Sequence, residues 1–351
     1  MSSNRQVKVG AIPVGGGAPV SVQSMLSVPA SDVEASIQQA RVLSKAGCEM
    51  IRVAIPDRAS VSLIAALKEH CDRPMIADIH FDYRIALDCV AAGVDKIRIN
   101  PGNIGGQNRV KAVADACARA GIPIRIGVNS GSVEPRLLER FGGPTPEALV
   151  ESALYHASLL ERADFGDIVL SMKSSDVAST YAAYCMAAER CDYPLHVGVT
   201  EAGTQRMGVI KSAAGIGGLL LRGVGDTIRV SLTADPVHEV ETALHLLEAL
   251  GLRQAGVTVV SCPTCGRTRI DLIGLTERVE ERLQTITPTR PIKVAVMGCP
   301  VNGPGEAREA DIGIAGGDGC GLLFKKGRVI RKVPEEGLLD ALLEEIHAMT
   351  S

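Results

Sequence analysis

The sequence predicts an α/β protein, a TIM (β/α)8 barrel followed by a small α/β domain. Eight short β-branched runs alternate with amphipathic helical segments over roughly 250 residues, the length such a barrel needs. Beyond Gly251 the rhythm breaks, and strand-like runs gather around a Cys-x-x-Cys pair and a later cysteine. A chain of 351 residues with 46% hydrophobic content can bury two cores, so a barrel over 1–253 and a second domain over 254–351 are expected.

The N-terminal stretch VKVGAIPVGGGAPVSVQSM reads as a hairpin around a Gly-rich turn, leading into a strand. Gly15–Gly17 lack the Lys-Ser/Thr and the immediate helix that a phosphate loop requires. Barrel strands are expected at 20–25, 50–56, 74–80, 96–100, 123–129, 167–173, 194–200 and 227–232. Helical spacing marks 31–48, 84–93, 109–121, 146–163 and 235–251, several opened by Asp, Ser or Thr and closed by Gly. In the second domain, strands are expected at 256–262, 291–299, 310–317 and 321–333, and helices at 271–286 and 335–349.

Composition narrows the function. A formal charge of −3, no Trp and only four Phe and five Tyr give little for nucleic acid to bind or stack on. No apolar run is long enough to span a bilayer, and MSSNRQVKVG lacks the pattern of a signal peptide, so a cytoplasmic protein that binds no membrane is expected. Ten cysteines then read as thiols. Cys48, Cys71, Cys89, Cys117, Cys185 and Cys191 sit singly in Ala-rich helical stretches and read as packing residues.

Strand alternation places the candidate site. In MIRVAIP, KIRIN, PIRIGVN and TIRVSL the β-branched residues flank an arginine, and the apolar set must face the helices. Arg52, Arg98, Arg125 and Arg229 therefore point into the barrel, with Asn100, Asn129, Lys173 and Ser231 at or near the strand ends. Burying one unpaired guanidinium costs several kcal/mol. Five cations exceed Asp78 and Glu201, the carboxylates available, so either internal salt bridges or a diphosphate-type substrate must compensate them, and guanidinium forks favour the diphosphate. His80 and His196 fall where this fold does its chemistry; each is a substrate contact or a satisfied core histidine. Glu201 follows the seventh strand as a general acid, or as the ion partner of Lys173 or Arg125.

The second domain carries Cys262, Cys265 and Cys299, the last followed by Pro, and Glu306 seven residues on. Three thiolates and one carboxylate do not match a structural zinc site, and a zinc ribbon would need a second Cys-x-x-Cys, which the chain lacks. They suit an iron–sulfur cluster with one labile corner. Cys320, Glu309 and Asp311 are rivals for the fourth position, all farther from the motif in sequence than Glu306 is.

Together SCPTCGRT, GCPVNGPGEAREADIGIAGG, RINPGNIG, PIRIGVNSGS, TEAG and GDTIRVSL resemble the bacterial 4-hydroxy-3-methylbut-2-en-1-yl diphosphate synthase family, over nearly the whole chain. The resemblance implies a TIM barrel joined to an iron–sulfur domain akin to those of sulfite and nitrite reductases. It implies a [4Fe-4S] cluster on Cys262, Cys265, Cys299 and Glu306, diphosphate contacts at Arg52, Arg98, Arg125, Asn129, Lys173 and Ser231, and an acidic catalytic residue at Glu201. The implied reaction is the reductive ring opening and dehydration of 2-C-methyl-D-erythritol 2,4-cyclodiphosphate. A displaceable Glu306 would leave the cluster a position open to substrate. No nicotinamide fingerprint is present, so flavodoxin and ferredoxin both stand as electron donors. A last barrel helix running antiparallel to the strands, with a linker of about six residues reaching only roughly 20 Å, implies a homodimer in which one subunit's cluster domain caps its partner's barrel. Two rival readings are a pterin- or phosphosugar-binding barrel with a structural zinc domain, and a non-catalytic iron–sulfur regulator, which would leave the inward arginines unexplained.

Overall fold

The computed structural model describes residues 3–254, 256–283, 286, 288, 290–300 and 307–350. Two compact units divide at Leu252 and Arg253.

The first unit opens with an antiparallel hairpin, β1 (Gln6–Val9) and β2 (Ile12–Gly15). It reverses at Gly10, whose φ of +57° suits glycine, and not at Gly15–Gly17 as the Gly-rich composition suggested. Those three glycines, all at positive φ, turn the chain away from the second strand instead. Val7, Val9 and Val14 pack on Met50, Ile76 and Val169 at the beginnings of barrel strands, so the hairpin plugs the floor.

Eight parallel strands follow: β3 (Ser21–Met25), β4 (Met50–Ala54), β5 (Met75–Asp78), β6 (Lys96–Ile99), β7 (Ile124–Asn129), β8 (Ile168–Lys173), β9 (His196–Val197) and β10 (Thr227–Ile228). They pair in the order β8-β7-β6-β5-β4-β3-β10-β9, and a parallel bridge between Leu170 and Leu195 closes the ring. The last two are shorter than expected because the regular ladder stops before Gly198. A Cβ there would lie 2.5 Å from both the Arg229 carbonyl oxygen and Lys173 Nζ. Around the ring lie α1 (Val33–Lys45), α2 (Ser62–His70), α3 (Tyr83–Ala91), α4 (Pro101–Ile104), α5 (Gln107–Ala120), α6 (Pro135–Phe141), α7 (Pro146–Glu161), α8 (Val177–Arg190), α9 (Gln205–Ser212), α10 (Gly218–Leu221) and α11 (Pro236–Ala249). Their termini follow local chemistry. Asp32 and Thr145 accept the Ala35 and Ala148 N–H groups at the starts of α1 and α7, and Gly121 ends α5 at φ +64°. Ile51, Ile97, Ile99, Ile124 and Ile126 join the apolar layer beneath these helices, which sends the alternate residues inward. Among the described residues no helix is long and apolar enough to cross a membrane.

The second unit is a five-stranded sheet in chain order, β11 (Val257–Ser261), β12 (Ile292–Met297), β13 (Ile312–Gly316), β14 (Cys320–Lys325) and β15 (Arg328–Pro334), the first three parallel. The expected strand at 321–333 is a hairpin, reversing at Lys326 and Gly327 with both φ angles positive. Helices α12 (Leu272–Leu283) and α13 (Leu338–Thr350) cover one face, where Leu275, Val279, Leu342 and Ile346 meet Val294, Ile312 and Ile314.

Candidate active site

The barrel interior is charged, against the apolar filling usual in this fold. Register sets Asp78 beside Arg98 and Arg98 beside Arg125 on neighbouring strands. Arg98 Nη1 donates to Asp78 Oδ1 at 2.9 Å, and Arg52 Nε lies 3.6 Å from Asp78 Oδ2. Burial pushes the Asp78 carboxyl up, but Arg52 and Arg98 outweigh it and hold the group at about 2. Arg52 also aims Nε and Nη2 at Met25 Sδ, at 3.0 and 2.7 Å, and burial lowers it to about 10. Arg125 is 1% exposed, and its Nε and Nη2 have no hydrogen-bond partner. Burial, then Arg52 and Arg98, drive its ionisation well below the usual arginine range. A guanidinium does not deprotonate in a protein, so that shift expresses the cost of burying its charge and, after that, the repulsion of Arg52 and Arg98.

Lys173 is buried, with Nζ 3.3 Å from Nε2 of the fully buried His196. Gly127 and Gly198 make room for this cluster, since a Cβ on Gly127 would come within 2.5 Å of Arg98 Nε. Arg229 Nη2 donates to both carboxylate oxygens of Glu239, at 3.1 and 3.3 Å. Glu239 also accepts from Ser24 Oγ and the Leu232 N–H. Interior compensation thus comes from Asp78 and Glu239, where the sequence suggested Asp78 and Glu201. Lys96 is a further inward cation, wholly buried, with Met50 Sδ at 4.0 Å. Its signal lay in KIRIN, two residues before Arg98 and so on the same strand face. Glu239 left no comparable signal, because nothing in a helix sequence says which strand residue it will meet.

The remaining predicted residues ring this cluster less tightly. His80 Nε2 is 3.9 Å from Asp78, with its side chain half exposed. The Asn129 backbone N–H donates to Ser132 Oγ at 2.9 Å across the Ser130–Ser132 turn, and Ser231 is half-buried. Asn100 is buried. Glu201 is exposed at φ +51°, a left-handed conformation uncommon for a glutamate. It stands at the strand-end face, not in an ion pair with Lys173 or Arg125, which are buried among other neighbours.

In the second unit Cys262 follows β11 and Cys299 lies just beyond β12, and pairing of Ser261 with Val296 puts both at one end of the sheet. The Gly298 N–H donates to Cys262 Sγ at 3.2 Å, and the Arg269 N–H to the Gly298 carbonyl oxygen at 2.9 Å, tying the two cysteine loops together. Cys265 is exposed, its thiol lowered first by the Arg267 backbone N–H. Glu306 lies outside the described residues, and among those described no three His, Cys, Asp or Glu side chains are arranged to hold a metal ion. The donor set fits an iron–sulfur cluster in kind, because sulfurs that accept backbone N–H bonds are the environment cluster thiolates use. Of the rival ligands, Glu309 and Asp311 contact Lys293 at the start of β12, the opposite end of the sheet. Cys320 opens β14 beside the cysteine end. The barrel thiols Cys48, Cys89 and Cys117 are buried and pushed up to about 12 by burial, as packing residues are.

Comparison with known families decides the kinship. The GcpE TIM-barrel domain matches residues 4–244, and the GcpE protein C-terminal domain matches 258–348. The chain belongs to the GcpE family. Among GcpE relatives, a 4-hydroxy-3-methylbut-2-en-1-yl diphosphate synthase (flavodoxin) of Ruminiclostridium cellulolyticum is 55% identical over 348 residues, covering 99% of this chain and 98% of its own. The enzyme of the same name from Bacillus cytotoxicus is 52% identical, covering 100% and 95%. Dihydropteroate synthases resemble this GcpE barrel in fold alone. That of Yersinia pestis superposes with a TM-score of 0.52 at 16% identity, over 71% of this chain and 98% of its own. That of Burkholderia cenocepacia does so with 0.52 at 15%, over 72% and 96%.

Proposed function

We propose that this protein is a 4-hydroxy-3-methylbut-2-en-1-yl diphosphate synthase of isoprenoid biosynthesis. It takes 2-C-methyl-D-erythritol 2,4-cyclodiphosphate, two electrons and two protons to 4-hydroxy-3-methylbut-2-enyl diphosphate and water. The observation that carries this is the barrel's unbalanced charge: Arg52, Lys96, Arg98, Arg125, Lys173 and Arg229 face two carboxylates. Such a surplus of basic groups over carboxylates favours an anion, and guanidinium forks suit phosphoryl oxygens. The relatives' name supplies the chemistry that the charge alone leaves open.

In this reading Arg125, with its unsatisfied Nη2, takes the diphosphate together with Arg52, Arg98 and Lys173, while Asn129 and Ser231 line the mouth. His80, His196 and Arg229 flank the bound substrate, and Glu201 gives a proton to the leaving hydroxyl. Cys262, Cys265, Cys299 and Glu306 would hold a [4Fe-4S] cluster, which when bound supplies single electrons and a Lewis-acidic iron. Flavodoxin is the donor proposed, after the relatives' name. The domains are those drawn at 1–253 and 254–351, the enzyme is cytoplasmic, and it works as a homodimer with each cluster domain over the partner's barrel.

Anaerobic preparation followed by iron, sulfide and EPR analysis tests the cofactor. Four irons and four sulfides are expected per chain, falling below one in Cys299→Ser, with turnover of the cyclodiphosphate lost. Stoichiometric zinc in a colourless protein would instead favour the zinc-domain reading. The assembly has its own test. Mixing Arg125→Met with Cys299→Ser subunits should restore activity to roughly a quarter of wild type through hybrid sites, and no recovery after subunit exchange would count against the capping arrangement.

A further inference from the structure

We propose that substrate entry is coupled to proton uptake by the barrel, with Lys96 and the Lys173–His196 pair as the acceptors. The inference rests on reading the mouth as a diphosphate site, and it concerns binding rather than electron transfer.

Two geometric facts carry it. Lys173 Nζ and His196 Nε2 lie 3.3 Å apart, a hydrogen bond between nitrogens that needs one lone pair, so the pair holds at most one positive charge. His196 Nδ1 has no partner to balance a second proton. Lys96 is the second fact: it is wholly buried against Met50 Sδ, with no carboxylate bonded to it. The two carboxylates that contact the inward arginines are taken, Asp78 by Arg98 and Arg52 and Glu239 by Arg229.

The surroundings allow one way to relieve repulsion. Lys173 faces Arg125, Arg229, Arg52 and Arg98 as well as His196, and Lys96 faces Arg125 and Arg52. His196 faces Lys173, Arg125, Lys96 and Arg52, while Tyr184 Oη reaches only its carbonyl oxygen. Arginines keep their protons, so the lysines and the histidine shed theirs. All three are held well below their usual ranges, by burial first and by these cations second. A polyanion in the mouth reverses the local field, and the amines regain protons from solvent. The site would thereby charge itself only when occupied, favouring doubly charged ligands over single anions.

The cyclodiphosphate makes a clean probe, because each of its phosphoryl groups is a strongly acidic diester that does not titrate near neutrality. Calorimetric titration of the oxidised holoenzyme with this compound, without reductant, at pH 8 in buffers of different ionisation enthalpy gives the protons exchanged per ligand. Uptake of about one proton is expected, with affinity falling by up to about tenfold per pH unit above neutrality. Lys96→Met and, as a second variant with a neutral acceptor, His196→Asn should bind the compound more weakly and, at saturating ligand, take up less than half as many protons. Binding with no exchange or with release overturns the proposal alone, as does uptake unchanged in both variants. No binding at any concentration sinks the diphosphate reading and this proposal with it.

Discussion

Arg125→Met is expected to cut turnover sharply while making the protein more stable. The guanidinium is 1% exposed, leaves Nε and Nη2 unsatisfied and lies among Arg52, Arg98 and Lys173. Replacing such a charge by an apolar side chain of similar length removes both its desolvation and its repulsions, worth about 1–4 kcal/mol in comparable sites. Thermal unfolding of the barrel should rise by several degrees, at about 2–4 °C per kcal/mol for a unit of this size. The same change removes a buried fork from the diphosphate, about 2–5 kcal/mol of transition-state binding, so kcat/KM should fall by about 30- to 5000-fold. A variant that loses stability as well as activity would mean that Arg125 has a structural partner, and would remove the reason to see the interior as waiting for an anion.

Asp78→Asn should do the reverse. This carboxylate accepts from Arg98 at 2.9 Å and sits 3.6 Å from Arg52, so its loss leaves two buried guanidinium groups without compensation. A destabilisation of about 3–5 kcal/mol is expected, measured by denaturant unfolding. Added diphosphate should recover part of it by supplying the missing charge. The pH profile carries a signature of the same group. Its folded value is about 2 against an ordinary 3.8, so the stabilisation is complete above about pH 4 and is lost as pH falls towards 2. That segment of the profile, worth roughly 2 kcal/mol, should be absent from the variant. A variant as stable as the parent, with no change in acid sensitivity, would show that solvent already neutralises the arginines.

Much of this arrangement is legible in the sequence. Period-two alternation in KIRIN and PIRIGVN separates helix-facing Ile97, Ile99, Ile124 and Ile126 from inward Arg98 and Arg125, and register then brings the two arginines together. What was not legible depends on contacts between distant segments. Glu239 belongs to a helix start, and only the closed barrel puts it beside Arg229 and Ser24. The floor hairpin reverses five residues before the densest glycines, which composition favours, because the reversal needs positive φ at one residue, Gly10. Of the two roles the sequence allows Glu201, the ion pair with Lys173 or Arg125 is not formed, because its side chain stays at the exposed face.

The plug made by Val7, Val9 and Val14 has a kinetic meaning. With the floor stopped, the reaction chamber is a blind vessel with one opening. On the function and assembly proposed above, substrate, water and product would use that opening in turn, and a cluster domain covering it during reduction would have to lift away once per cycle. Covering and release would then be steps in series with reduction, so a faster donor would raise turnover only until one of them became the slowest.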